Sequence, residues 1–170
     1  KVGLAQISPK LGDVQSNLRL HLDTVEKARE QGVQLLCFPE LSLTGYMLRD
    51  LVPDVAISAI ESNSIMAELL SASQDVDLVV GFVEEDERHL YYIAAAYLSQ
   101  GRIVHVHRKV YLPTYGMFEE GRYLAAGDGF RAFDTRFARM GILICEDFWH
   151  ISSPYVLWLD GADILLLISA

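Results

Sequence analysis

The amino-acid sequence predicts an α/β fold built on a mixed sheet with helices outside it. Strand-like apolar runs at residues 2–7 and 33–38 flank a segment at residues 14–31 whose apolar positions recur at helical spacing. That order is typical of a βαβ unit with two parallel strands. Two later apolar runs, at residues 90–98 and 102–108, are separated by only three residues and are predicted to form an antiparallel hairpin.

The first half of the chain is predicted to contain two helices. The helix at residues 14–31 has a charged face and ends before Gly32, a residue suited to a C-terminal stop. The segment LSLTGYMLRDL, further along, is typical of a loop around Gly45. Isoleucine and leucine at helical spacing predict a second helix over residues 57–74, and the apolar run at residues 77–83 predicts the next strand.

The second half of the chain contains a long segment without periodicity. Residues 110–129 are rich in Pro, Tyr, Gly, Phe and Glu, and a loop of that length inside a domain is usually functional or mobile. Strands are predicted at residues 130–133 and 140–144. A short helix is predicted to start near Ser153 with Pro154 at its first position, and the final run DILLLIS is predicted to be a core strand.

Composition excludes several classes of function. The 170 residues are 51% hydrophobic, which suits one folded domain over residues 1–170 and argues against a disordered chain. Acidic residues outnumber basic ones by 23 to 14, a net charge of -9 that disfavours nucleic acid as a partner. No apolar stretch approaches the length needed to cross a bilayer, so no membrane partner is expected.

Two cysteines and the last residues of the sequence lead to further expectations. Cys37 and Cys145 are too few for a disulfide framework, so we expect a reducing compartment and a cytoplasmic localisation. The run DILLLIS is followed at once by Ala170, where the sequence stops. A native domain rarely ends directly after a core strand, so we expect the C-terminal part of this domain to be absent.

Three chemically different side chains each come just after a strand-like run. They are the carboxylate of Glu40, the ammonium of Lys109 and the thiol of Cys145. In open α/β sheets, the crevice outside the carboxyl ends of the strands is where chemistry is normally hosted. We therefore expect these three residues, which lie far apart in the sequence, to meet in one cleft.

This combination of groups suits nucleophilic catalysis. A thiol has a pKa of about 8.5 when unperturbed, so it is mostly protonated at neutral pH. A carboxylate within hydrogen-bond reach can take that proton, which makes Cys145 a candidate nucleophile and Glu40 a candidate general base. The ammonium of Lys109 and the backbone N–H of Glu146 would stabilise the oxyanion of a tetrahedral intermediate.

Each of these residues, taken alone, also has an ordinary structural explanation. Free cysteine is among the most buried residue types, so Cys145 is compatible with an inert core position. Glu40 is compatible with a surface carboxylate at a strand end, and Lys109 with a solvated charge. Cys37 lies inside a strand and keeps the interpretation of a core cysteine. Spacing alone leaves these alternatives open.

Three sequence blocks resemble a known family. FPELSLTGY around Glu40, HRKVYLP around Lys109 and GILICEDFWH around Cys145 resemble, in order, the signature blocks of the nitrilase, or carbon-nitrogen hydrolase, superfamily. The resemblance covers essentially the whole chain. It implies a four-layer α-β-β-α sandwich, here incomplete at the C-terminus, and a Glu-Lys-Cys triad. It also implies a small-molecule amide substrate, no cofactor, and assembly as a homodimer or larger homo-oligomer.

The same resemblance implies a further glutamate in the loop after the lysine block. Counting along the loop from Lys109 places it at Glu120 rather than at Glu119. Its expected task is to orient Lys109 and Glu40 electrostatically. The alternative for the adjacent pair of glutamates is a solvated acidic turn.

Other residues near the three blocks are candidates for binding. Tyr115, Glu146 and Trp149 are predicted to contact substrate, with packing as the alternative for the two aromatic residues. His105 and His107 stand two apart on a predicted strand and would share one face, which suggests a metal site. No third ligand is apparent near them, so ordinary strand histidines are favoured and no metal is expected.

Three functions follow from these blocks. The favoured one is a freestanding amidase-type hydrolase that cleaves a non-peptide C–N bond of a small amide or carbamoyl substrate through a cysteine thioester. The alternative is the glutaminase domain of a glutamine-dependent NAD synthetase. The segment YLPTYGMFEEGRY resembles a loop of that domain, although the residues MLRDL after LTGY depart from the synthetase pattern. The third is a non-catalytic binding module on the same fold, whose mark would be an altered triad; this triad is intact.

Overall fold

Eight strands form two sheets in the computed structural model, which describes residues 1–170. The first sheet contains, in spatial order, β1 (Val2–Leu4), β2 (Leu35–Cys37), β3 (Asp77–Glu85), β4 (Tyr91–Ser99) and β5 (Arg102–Arg108). The second contains β6 (Phe133–Asp134), β7 (Arg139–Ile144) and β8 (Ile164–Ile168). The first three strands are parallel and the next two are antiparallel, so the first sheet is mixed, as predicted.

Six α-helices connect the strands and cover the sheets. They are α1 (Val14–Glu30), α2 (Val52–Val55), α3 (Ser64–Ala72), α4 (Glu120–Tyr123), α5 (Glu146–Trp149) and α6 (Ser152–Leu159), with a short 3₁₀ turn at Arg49–Leu51. The carboxylate of Asp13 caps α1 by accepting the backbone N–H of Ser16. Gly32 follows α1 with φ +69°, as its predicted stop requires.

The helices and sheets stack in four layers. Helices α1 and α3 pack on one face of the first sheet, and the second sheet packs on the other face. Helix α6 covers the outer face of β7, where Leu157 lies directly over Gly141. The α-β-β-α sandwich that the resemblance implied is therefore confirmed.

Alternating side chains of the central strands build the two cores of this sandwich. In β3, Leu78 and Val80 face the helices, whereas Val79 and Val83 face the second sheet. Because both faces of the first sheet are covered, its central strands are apolar along almost their whole length. Cys37, in β2, packs in the core between the two sheets.

The second predicted helix is shorter than its apolar pattern indicated. The prediction covered residues 57–74, whereas α3 spans Ser64–Ala72. The side chain of Asn63 accepts the backbone N–H groups of Ile65 and Met66, and this cap fixes where the helix begins. Ile57 instead forms an isolated bridge to Glu84 beside β3. Local capping chemistry, and not the spacing of apolar residues, sets the boundary.

Several short elements also differ from the prediction. Helices α2, α4 and α5 have four residues each, too few to leave a periodic pattern in the sequence. The strand predicted at residues 2–7 is shorter in the structure, where β1 ends at Leu4. The strand predicted at residues 130–133 begins only at Phe133, as β6. Helix α6 begins at Ser152, so Pro154 is its third residue and not its first; the N–H that proline lacks is unpaired at either position.

A glycine in β3 makes room for the loop that follows β2. A Cβ atom at Gly81 would lie 2.5 Å from the carbonyl oxygen of Pro39 and 2.6 Å from the backbone nitrogen of Leu41. The backbone around Glu40 therefore crosses directly over Gly81. The carbonyl of Gly81 also accepts the N–H of Leu43 at 3.1 Å, which fixes the far side of this turn.

Replacing Gly81 with alanine is expected to lower the free energy of unfolding by about 1–3 kcal/mol, the usual cost of overpacking. The atoms in the way belong to backbone, which cannot rotate aside. Urea denaturation of both proteins measures the difference. In the control Gly141→Ala, the nearest atom is a Leu157 methyl carbon at 2.7 Å, so a smaller loss is expected. An equal or larger loss in the control would contradict this account.

Candidate active site

Glu40, Lys109 and Glu120 form a buried ion-pair cluster at one edge of the first sheet. The Lys109 Nζ donates to Glu40 Oε1 at 2.8 Å and to Glu120 Oε1 at 2.9 Å. The exposed fractions of Lys109 and Glu40 are 0% and 2%. Lys109 comes directly after β5, where its backbone N–H extends the ladder to the carbonyl of Ile93 at 2.8 Å. Strands β2 and β5 end at the same edge, and this brings the two residues together.

The third member of the cluster comes from the long loop after β5. Glu120 is the first residue of α4 and is buried, whereas its neighbour Glu119 is exposed. The Tyr46 hydroxyl donates to the same Glu120 oxygen that Lys109 contacts. Glu120 thereby joins its own loop both to the loop that carries Tyr46 and to Lys109.

Cys145 lies in a sharp turn between β7 and α5. Its backbone has φ +47° and ψ −102°, a conformation that residues other than glycine rarely adopt. The backbone N–H of Cys145 donates to the carbonyl of Ile168 at 2.8 Å, and its carbonyl accepts the N–H of Phe148 at 3.0 Å. Its side chain is half-buried, in contrast to the fully buried Cys37. Strained backbone of this kind is concentrated at functional sites.

Burial and opposite charge act against each other at Lys109 and Glu40. Burial alone would lower the pKa of Lys109, but the carboxylates of Glu40 and Glu120 outweigh it, so the pKa is raised and the ammonium stays charged. Burial raises the pKa of Glu40 above its usual value of 4.5, and Lys109 offsets only part of this effect. A carboxylate with a raised pKa is better suited to carry a proton during a reaction.

The thiol of Cys145 belongs to the same electrostatic cluster. Burial raises its pKa most, a hydrogen bond with Ser169 lowers it, Glu40 raises it and Lys109 lowers it. The pKa of Cys145 is therefore raised above its usual value, and the thiol is mostly protonated at neutral pH. The charges of Glu40, Lys109 and Glu120 all act on this thiol, so it lies in the electric field of the buried ion pairs.

The predicted binding residues lie at or near the protein surface. The Tyr115 hydroxyl donates to Glu146 Oε2 at 2.8 Å, and the His150 Nε2 lies 3.5 Å from Glu146 Oε1. Tyr115 is exposed, so this pair borders solvent. Trp149, at the end of α5, is 77% exposed. The buried ion pairs therefore lie beneath a polar surface that Tyr115 and Glu146 form.

Two contacts in the cluster were not singled out from the sequence. Tyr46 lies in the FPELSLTGY block, so its place in that block was the available signal for its bond to Glu120. The backbone N–H of Ala170 donates to Glu40 Oε2 at 3.2 Å. Main-chain donors such as this one leave no signature in side-chain chemistry, so the sequence offered no signal for it.

The two histidines of β5 have separate partners. His107 Nε2 lies 2.9 Å from Asp147 Oδ2, and the ring of His105 stacks on Phe133 with centroids 4.3 Å apart. No group of three or more His, Cys, Asp or Glu side chains is arranged to hold a metal ion. No helix is both long enough and apolar enough to cross a membrane.

Comparison with known proteins shows relatives along the whole chain. The carbon-nitrogen hydrolase family matches residues 1–170. The glutamine-dependent NAD(+) synthetase of Acinetobacter baylyi is 32% identical over 170 residues, which cover 100% of this chain and 31% of that protein. The chain therefore spans less than a third of the length of this relative.

Solved structures agree with the sandwich described above. The glutamine-dependent NAD+ synthetase of Acinetobacter baumannii superposes with a TM-score of 0.90 at 33% identity, over 99% of this chain and 32% of that chain. Nit3 of Saccharomyces cerevisiae, from the nitrilase superfamily, superposes with a TM-score of 0.88 at 24% identity, over 99% of this chain and 64% of that chain. At that identity, the second likeness concerns the fold alone.

Replacing Glu120 with glutamine is expected to shift the alkylation of Cys145 by iodoacetamide to lower pH. The charge of Glu120 raises the pKa of Cys145 and of Glu40, so its removal lets the thiolate form at lower pH. Mass spectrometry of the Cys145 peptide across pH measures the profile. Burial raises the pKa of Cys37 to about 11, so this residue should stay unlabelled at neutral pH in both proteins. An alkylation profile that is unchanged or moves to higher pH would contradict the conclusion that the charge of Glu120 raises the pKa of Cys145.

Proposed function

Because this chain belongs to the carbon-nitrogen hydrolase family, we propose that it hydrolyses a non-peptide C–N bond of a small amide or carbamoyl substrate through a thioester on Cys145. The buried cluster in which Lys109 binds Glu40 and Glu120 beside the thiol carries the proposal. A binding module without turnover would have no need for a buried ammonium, since removing such a charge from water costs several kcal/mol.

The first half of the reaction forms the thioester. Glu40 takes the proton of the Cys145 thiol, and the sulfur attacks the substrate carbonyl carbon. The negative oxygen of the tetrahedral intermediate is stabilised by the Lys109 ammonium and by the backbone N–H of Glu146. The intermediate then collapses as its C–N bond breaks, and Glu40 returns the proton to the leaving nitrogen, which departs as ammonia or an amine.

The second half of the reaction releases the acid. Glu40, again ionised, takes a proton from a water molecule that attacks the thioester carbon. The second tetrahedral intermediate has the same charge as the first, so Lys109 stabilises both. The C–S bond breaks, the carboxylic acid product leaves, and the proton on Glu40 returns to Cys145.

The relatives favour the side-chain amide of glutamine as the substrate. Both synthetases are glutamine-dependent, and each matches this chain along only 31% or 32% of its own length. On this support we propose a glutaminase domain that supplies ammonia, in preference to a freestanding amidase. The Glu146 carboxylate, hydrogen-bonded to Tyr115 at the protein surface, is the group suited to bind the α-ammonium of glutamine.

The same chemistry bears on where and how the protein works. A thiol nucleophile needs to stay reduced, which supports a reducing, cytoplasmic location. Family membership supports a homodimer or larger homo-oligomer and a reaction that uses no cofactor. The negative charge of the chain supports a small molecule, and not nucleic acid, as the partner.

Replacing Cys145 with alanine is expected to abolish ammonia release from glutamine, because no other group can form the thioester. A coupled glutamate dehydrogenase assay on the full-length protein measures the rate. The control Cys37→Ala removes the other thiol of this chain, which lies in the core between the sheets, and should keep the rate of the parent. Ammonia release that persists in Cys145→Ala would remove the thiol mechanism.

Replacing Glu146 with glutamine is expected to lower kcat/KM for glutamine by roughly 10- to 100-fold, the equivalent of one charge-assisted hydrogen bond. The substitution keeps the backbone N–H and the length of the side chain but removes the negative charge. The matched substrate is glutaramic acid (4-carbamoylbutanoic acid), which has the same amide and carboxylate but no amino group, and its kcat/KM should change little. An equal loss for both substrates would contradict a role in binding the ammonium.

A further inference from the structure

Asp147 is a buried carboxylate that the reaction above does not use. It is 0% exposed, and its two oxygens accept four N–H groups. Oδ1 accepts the backbone N–H groups of Val110 and Tyr111, both at 3.0 Å. Oδ2 accepts the backbone N–H of Ile144 at 3.1 Å and the Nε2–H of His107 at 2.9 Å. Every one of these donors is within two residues of Lys109 or Cys145.

These donors come from two different sheets. Val110 directly follows Lys109 at the end of β5, in the first sheet, whereas Ile144 is the last residue of β7, in the second sheet. The carboxylate of Asp147 therefore links Val110, which follows Lys109, to Ile144, which precedes Cys145. No backbone ladder connects β5 to β7, so the two sheets are linked here by a side chain.

The backbone of Cys145 needs such support. A non-glycine residue at φ +47° is strained, and strain of this kind persists only where the surroundings hold it in place. Asp147 holds the N–H on the strand side of the turn, at Ile144, while Phe148 holds the Cys145 carbonyl on the helix side.

We propose that Asp147, supported by His107, is a positioning residue that sets the geometry between the Cys145 sulfur and the Lys109 ammonium. The inference rests on the function proposed above, in which those two groups act on the same substrate carbon. Asp147 touches neither substrate nor sulfur in this role. It acts by fixing the two backbone segments that carry the reacting groups.

An ionised carboxylate is the side chain that fits this position. Its two oxygens only accept hydrogen bonds, and all four neighbours donate. In Asp147→Asn, one oxygen becomes an NH₂ group, which cannot accept the backbone N–H that it faces, so at least one buried backbone donor loses its acceptor. The shape of the side chain is kept, and only the pairing between the two segments is lost.

The test is steady-state kinetics of Asp147→Asn in the full-length protein, with glutamine as the substrate. We expect kcat to fall by about 100-fold, the usual consequence of a misplaced reacting group, while KM changes little. We also expect alkylation of Cys145 by iodoacetamide to move to higher pH, because Lys109, which lowers the pKa of this thiol, is displaced from it.

The matched control is Asp77→Asn, a second buried carboxylate at the start of β3, at the opposite end of the first sheet from Lys109. Asp77 accepts the hydroxyls of Tyr97 and Ser99, both at 2.7 Å, and pairs with Arg136 at 3.0 Å. Its loss should lower the melting temperature without changing kcat or the alkylation profile. If Asp147→Asn behaves in the same way, with a lower melting temperature and an unchanged kcat, the inference is overturned.

Two variants of His107 test the same link and do not depend on how well Asp147→Asn folds. His107→Gln keeps an N–H donor and should retain most of the kcat. His107→Phe keeps the ring that stacks on Phe130 but has no donor, so kcat should fall while KM is kept. Equal kcat values in the two variants would overturn the role of His107 and the inference with it.

The Cys145→Ala variant separates this inference from the proposed function. Ammonia release that persists in Cys145→Ala refutes the proposed function. Loss of ammonia release in Cys145→Ala, together with normal kcat in Asp147→Asn and His107→Phe, leaves the proposed function standing and overturns only the positioning role.

Discussion

The ammonium of Lys109, buried between two carboxylates, is the interaction on which the rest of the site depends. An unpaired charge at this depth is not tolerated, and removing one partner of a buried pair typically costs about 3–5 kcal/mol. Lys109 therefore requires Glu40 and Glu120 to stay within hydrogen-bond distance, at 2.8 and 2.9 Å. One cation thus holds the turn after β2 and the start of α4 to the end of β5.

The sandwich meets this requirement by bringing strand ends to one edge and by leaving room above β3. Strands β2 and β5 deliver Glu40 and Lys109 to the same side of the first sheet, and β7 delivers Cys145 from the second sheet. The missing side chain at Gly81 lets the backbone around Glu40 cross the sheet closely. The cores on both faces of the first sheet pack against these strands, which suits a site that depends on fixed distances.

Sequence reasoning found those parts of the molecule that leave a local pattern. Apolar runs marked the central strands, and three short blocks marked the residues that the structure brings close to one another. The hydrogen bond between Tyr46 and Glu120 was not predicted, because the FPELSLTGY block marks Tyr46 without indicating which distant residue it contacts. The start of α3 was misplaced because a single cap at Asn63 outweighs the spacing of the apolar residues before it.

Glu40 is held at both carboxylate oxygens, by Lys109 at Oε1 and by the N–H of Ala170 at Oε2, so it cannot rotate freely. As the general base we propose, it must then exchange protons with sulfur, nitrogen and water along one fixed direction. Ammonia and the hydrolytic water would occupy the same spot beside it in turn. A clamped carboxylate thereby enforces departure of the first product before admission of the second reactant.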